Sequence, residues 1–343
     1  MSKAVKTALM TALLLIVLGM ALIAVSLLRG ANIRELWNTG NFQVGVLNTG
    51  YGDLKDYTIC KSGMERFSAA DVKSIDLDWI SGTVKLQSGS TDQITLEERC
   101  KKALKDEQKL CWKLENGTLS IRFCSALQTQ MPDKELVLTV PADWTAESVS
   151  VGVTSGDVEL RALQVEKTLD LSATSGDVHL FDCSCDKLDA GSTSGEISLT
   201  ACACRELRLG ATSGALAAQD CRCDTLKATT TSGNISVRCD AKEIRLGSTS
   251  GSIRCEAVPA GCDVSIDATS GDVRLRLLDT SDDQRIEVET TSGDVYLDVP
   301  GAIDLDYDTA SGDTSGRLVQ GGSGCPKVEI ETTSGDLILG AFD

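Results

Sequence analysis

Seven cysteines are the residues whose spacing invites chemistry. Cys183-x-Cys185, Cys202-x-Cys204 and Cys221-x-Cys223 recur every 19 residues, and Cys239 continues the first of the two series. Thiols in register could form disulfides between neighbouring repeats, since their backbone spacing fits the usual window, although parallel Cβ vectors point alongside rather than toward each other. Cys183, Cys185, Cys202 and Cys204 could hold zinc, but no knuckle turn or outer-shell partner supports a thiolate cage. The third reading is a buried stripe of small hydrophobes, which free cysteine resembles. The intervening Ser184, Ala203 and Arg222 vary in polarity as outward positions do, which favours this reading. No metal or other cofactor is expected.

A second series is acidic. Asp157, Asp177, Asp272, Asp294, Asp313 and Asp336 each follow a glycine, as a calcium-binding column would require. Glu196, Ala215, Asn234 and Ser252 interrupt it, so the residues read as turn chemistry. His179 is the only histidine, so any Ser-His-Asp or Cys-His arrangement must use it. It shares one face of a short strand with Asp177 and Phe181, as a solvated residue would. Sugar-cleaving β-helices need clustered carboxylates with aromatic platforms, yet all four tryptophans, Trp37, Trp79, Trp112 and Trp144, precede the repeats. Catalytic residues are therefore not assigned, and a polysaccharide-active enzyme is the least favoured reading. Stacked Thr-Ser rows suit an ice-binding face only where they lie flat, and here they fall at a corner.

What positions these residues is a repeat. The phrase Thr-Ser-Gly, usually followed by Asp-Val, places glycines at Gly156, Gly176, Gly195, Gly214, Gly233, Gly251, Gly271, Gly293, Gly312 and Gly335. A period near 19 residues signals a repeat architecture. Between glycines, apolar residues alternate, as in Val178/Leu180 and Leu207/Leu209, which excludes helical repeats and gives short strands with one face buried. One coil cannot bury that face alone, so coils must stack. Glycine suits the corner because it tolerates positive φ. The fold class expected is all-β: a single-stranded β-solenoid of about ten coils over residues 151–343, right-handed by analogy with most β-helices. Residues 71–150 alternate less regularly, with Asn116-Gly117 a hairpin signal and Ser81-Gly82 a degenerate corner, and read as an irregular N-terminal β cap.

The N-terminus sets the compartment. Residues 8–28 carry no charge over 21 positions, enough for a helix to cross a bilayer, and Lys3 and Lys6 precede them. The run exceeds the core of most cleaved signals. We expect a cytoplasmic tail (1–7), a single-pass transmembrane anchor helix (8–28), a juxtamembrane spacer (29–70) and an extracytoplasmic remainder. The formal charge of −17 argues against a nucleic-acid partner.

The Lys73-Ser-Ile-Asp-Leu segment, the Ser81-Gly-Thr-Val turn, the Leu136-Val-Leu-Thr-Val-Pro141 strand and the serial Thr-Ser-Gly-Asp-Val phrase together resemble the bacterial adhesin-type β-strand-repeat family, a domain of unknown function. The resemblance spans residues 70–343. It implies a β-helical surface domain and, in some Gram-positive relatives, a place beside cell-envelope stress genes; it carries no catalytic residues. The reading is a membrane-anchored, non-enzymatic surface module, adhesin-like or scaffolding, with a protein or cell-envelope polymer as partner. The alternative is an accessory of envelope-stress signalling that contacts another membrane protein.

Overall fold

The computed structural model describes residues 54–124, 132–316, 321 and 325–340; the expected anchor at 8–28 lies outside them. The described chain is a parallel β-solenoid of about nine turns, against about ten coils expected from the glycines. A single 3-10 turn, Asp106–Gln108, is the only helix among the described residues.

Each coil has a long strand, a sharp corner and a shorter strand, as in Lys187–Ser194 followed by Ile197–Thr200. The third side is thinner: single bridge residues, Gln164, Ser184, Ala203 and Arg222, pair from coil to coil. Register is kept at the Thr-Ser-Gly corner, so Ser194 opposes Ser213, then Ser232, then Ser250. Alternation explains the core. Leu188, Leu207, Leu226, Ile244, Val264 and Ile286 stack inward in one column, each 2% exposed or less.

Glycine is required at the corner by close approach. A Cβ on Gly195 would lie 2.0 Å from the Gly176 carbonyl oxygen, and φ there is 144°. The second corner uses no glycine. Ala162, Asp182, Ala201, Asp220 and Ala257 adopt left-handed φ of 53–59°, a conformation costly for alanine.

One sequence expectation needs correction. The cap was expected at 71–150, with a spacer before it. In the structure Met64–Ser68 already pairs antiparallel with Gln93–Arg99, so part of the expected spacer belongs to the fold. Ser74–Gly89 is itself a full coil, in parallel register with Thr145–Arg161, and Gly82 stacks on Gly156 as a true corner. The irregular part is the layer outside that coil: Thr118–Arg122 and Lys134–Pro141 continue the parallel stack, and antiparallel strands then close it. Asn116 and Gly117, both at positive φ, make the expected hairpin.

At the other end the coils do not stack in chain order. Instead Lys327–Ser334 pairs with both Arg285–Ser292 and Asp304–Ser311, so coil 327–339 is inserted between coils 285–298 and 304–316. Inward residues explain the exchange. Coil 327–339 presents Val328, Ile330, Leu337 and Leu339, all buried. Coil 304–316 offers Leu305 and Tyr307, only half-buried, then Thr314 and Gly316, both exposed. Placed in order, Thr314 and Gly316 would sit between two apolar layers and leave a void. At the end of the stack the same coil is a polar cap, which a repeat array requires.

Candidate functional site

The cysteines lie along the thin third side. Cys183, Cys202, Cys221, Cys223 and Cys239 are buried, and Cys185 and Cys204 are half-buried. The thiols of Cys183, Cys202 and Cys221 share one pose, each donating to the carbonyl two residues earlier, Phe181, Thr200 and Gln219. The thiols of Cys183, Cys202, Cys221 and Cys239 lie beside one another in one column, and Cys185 beside Cys204 in another. Interaction with the neighbouring thiol, then burial, pushes Cys183, Cys204 and Cys221 upward, and the same interaction lowers Cys202. No set of three or more His, Cys, Asp or Glu side chains among the described residues is disposed to hold a metal ion.

Two observations show what these sulfurs do. The coil before Cys183 and Cys185 carries Leu163 and Val165, since Gln164 bridges Ser184. Cys255 stands in an inward column with Leu180, Leu199, Ala218, Val237 and Leu275. Cysteine thus occupies positions that Leu, Val and Ala occupy elsewhere, and serves as core. In the cap, Cys111 faces Cys124, donating to its carbonyl at 3.5 Å, and desolvation raises its thiol to about 12.

The corner acids clip coils together. Asp157 accepts the Asp177 amide at 3.0 Å, Asp177 the Glu196 amide at 2.8 Å, and Asn234 the Ser252 amide at 3.0 Å. The clip continues through Asp272, Asp294 and Asp336 to the amide of Asp313. Each carboxylate oxygen satisfies a backbone donor of the next coil, a turn role available to Asp or Asn but not to alanine. His179 lies on the outer face, with Glu159 and Ser198 as its neighbours in adjacent coils and Phe181 stacked at 6.5 Å.

Two features were not read from the sequence. One is a groove of about 720 Å³ along the outside of the long strands, spanning six coils. Its walls are a threonine column, Thr249, Thr269, Thr291 and Thr333, and an acidic column, Asp267, Glu289, Glu331 and Asp308. Stacked coils put its ends about 24 Å apart. Only the inserted order brings Glu331 between Glu289 and Asp308, so chain order could not reveal it. The other feature is buried in the cap. The Lys134 ammonium pairs with Glu98 at 2.6 Å and donates to the carbonyls of Gln108 and Phe123. It also faces the rings of Phe123 and Trp79 at 3.9 and 4.9 Å. Desolvation lowers its pKa, and Glu98 opposes that shift. The pair lies buried within the cap.

The fold and its outward columns define a repeat protein that displays side chains along a rod, with a polar groove and with its repeat cysteines buried in the core or packed against it. Two overlapping family matches, over residues 72–276 and 207–340, show that the chain belongs to the Toastrack DUF4097 family. Solved structures with low identity align over most of the chain. A "putative adhesin" of Bacteroides fragilis is 11% identical, covering 80% of this chain and 95% of its own, with a TM-score of 0.39. One of Parabacteroides distasonis is 12% identical, covering 79% and 96%, with a TM-score of 0.39. A "putative cell adhesion protein" of Clostridium sporogenes is 8% identical, covering 80% and 96%, with a TM-score of 0.24. No curated protein matches the chain.

Proposed function

We propose that this protein is a membrane-tethered, extracytoplasmic binding rod, a non-enzymatic adhesin-like or scaffolding module. The observation that carries the reading is the groove of about 720 Å³ along six coils. Its two walls repeat at the coil spacing, so they match an extended, repetitive partner better than a compact substrate. Hydroxyl and carboxylate walls recognise hydroxyl-rich or cationic polymer by hydrogen bonds and charge. The uncharged run at 8–28, preceded by Lys3 and Lys6, supports a tether that leaves the rod outside.

Co-sedimentation of the detergent-solubilised full chain with isolated cell-wall sacculi tests this reading. The chain should pellet with sacculi, and Thr269→Arg/Thr291→Arg/Thr333→Arg should abolish pelleting while leaving the circular dichroism unchanged. Pelleting unaffected by the triple substitution would remove the groove from the account, and absence of pelleting would remove the polymer partner.

A further inference from the structure

The out-of-order coil carries an inference about a partner. We propose that the slot between coils 285–298 and 304–316 is a coil-acceptor site, filled within one chain by residues 327–339 and between chains by the same residues of a second copy.

Both walls of the slot precede its occupant in the sequence, so the slot must be open, or reopen, to admit coil 327–339. What the slot recognises is generic. The occupant supplies ladder edges to both walls, aliphatic pairs to the core, and a corner clip on each side. Its Asp336 amide donates to Asp294 and its Asp336 carboxylate accepts from Asp313, each at 2.9 Å. The same coil from another molecule provides the same atoms, as in strand addition to a sheet edge. Exchange of an identical element between protomers needs no new interface chemistry.

Electrostatics make this coil the one to exchange. Glu329 lies between Glu287 and Asp306, and Glu331 lies between Glu289 and Asp308. Arg285 also opposes Lys327, while the Lys327–Glu329 pair at 3.1 Å and the neighbouring Asp304 offset part of this. Like charges directly opposite on adjacent strands destabilise the pairing, and salt screens them. The occupant is therefore held by packing against charge, and its release should quicken as ionic strength falls. A rod tethered at one end and exchanging coils at the other would join neighbours tip to tip.

The test uses full chains in detergent micelles, with Cys100→Ser and Cys325→Ser to silence the half-exposed thiols nearest the ends. Ser292 and Ser334 are register partners across the slot. A double variant, Ser292→Cys/Ser334→Cys, should be bridged within one chain by a short bis-maleimide, which establishes the filled slot. One batch carrying Ser292→Cys is then mixed with another carrying Ser334→Cys. Coil exchange yields cross-linked dimers several-fold above a Ser250→Cys/Ser334→Cys mixture, growing with incubation and faster at low salt. Intramolecular bridging with no dimer above that control would overturn the exchange. Failure of the double variant to bridge would overturn the slot itself.

Discussion

The corner glycines offer the sharpest stability contrast. At Gly195, φ is 144°, a region where residues with a Cβ are strained by about 1–3 kcal/mol. An alanine Cβ would stand 2.0 Å from the Gly176 oxygen and 2.7 Å from its carbonyl carbon. The Gly176 backbone cannot swing aside, so the two coils must part locally. That weakens the bonds between them, from the Gly176 amide to Ser194 (3.2 Å) and from the Val178 amide to Glu196 (2.8 Å). Each is worth about 1 kcal/mol net. Gly195→Ala should therefore cost about 3–5 kcal/mol. Gly247 is the control: its φ is unremarkable, and the nearest atom to an added Cβ is the Thr229 methyl at 3.3 Å. A methyl can shift, so Gly247→Ala should stay within about 1 kcal/mol of the parent. Urea unfolding followed by circular dichroism, with hydrogen exchange across coils 187–222 to detect local opening, measures both. Equal midpoints for the two variants would refute the stacking argument.

Other perturbations probe separate parts of the fold. Cys202→Ala should cost about 1–2 kcal/mol by urea unfolding, while reductant leaves the melting temperature nearly unchanged and the column's thiols alkylate only on unfolding. Ala201→Gly should be neutral or stabilising by about 0.5 kcal/mol, because φ is 56° there; clear destabilisation in the same assay would count against the second corner. Lys134→Met leaves Glu98 buried and unpaired and should cost about 3–5 kcal/mol, most of it recovered in Lys134→Met/Glu98→Leu. Asp189 faces Asp170 across one coil rise, and burial, then that charge, raises its pKa. A carboxyl with a raised folded pKa binds its proton more tightly when folded, so its contribution falls as pH rises through that value. Asp189→Asn should then stabilise by about 0.5 kcal/mol at neutral pH and lose its advantage near pH 3, read by thermal melts across pH. Deleting residues 195–213 should preserve register and folding, whereas deleting ten residues from the same start should not.

Period-two alternation and the Thr-Ser-Gly phrase were enough to read the coil, because both report local geometry that every coil repeats. The second corner escaped notice, since alanine at positive φ leaves no trace in composition. The inserted coil escaped for a different reason. Thr314 and Gly316, standing where other coils carry valine and leucine, were visible, but their cost emerges only when the layers above and below are known. The groove followed that order and was lost with it. The Lys134–Glu98 pair was equally hidden, because a lysine opening a strand looks solvated until the cap folds over it. The cysteine columns were visible in their 19-residue spacing, whereas Cys255, alone in a column of aliphatic residues, was not.

The central claim is a rod displayed outside the membrane, and site-specific proteolysis of intact, wall-stripped cells tests it most directly. A protease sequence placed between residues 29 and 53 should be cut by protease added outside, releasing a soluble fragment that contains the solenoid and leaving a short membrane-bound stub. Full protection of the solenoid until the membrane is permeabilised would contradict the account.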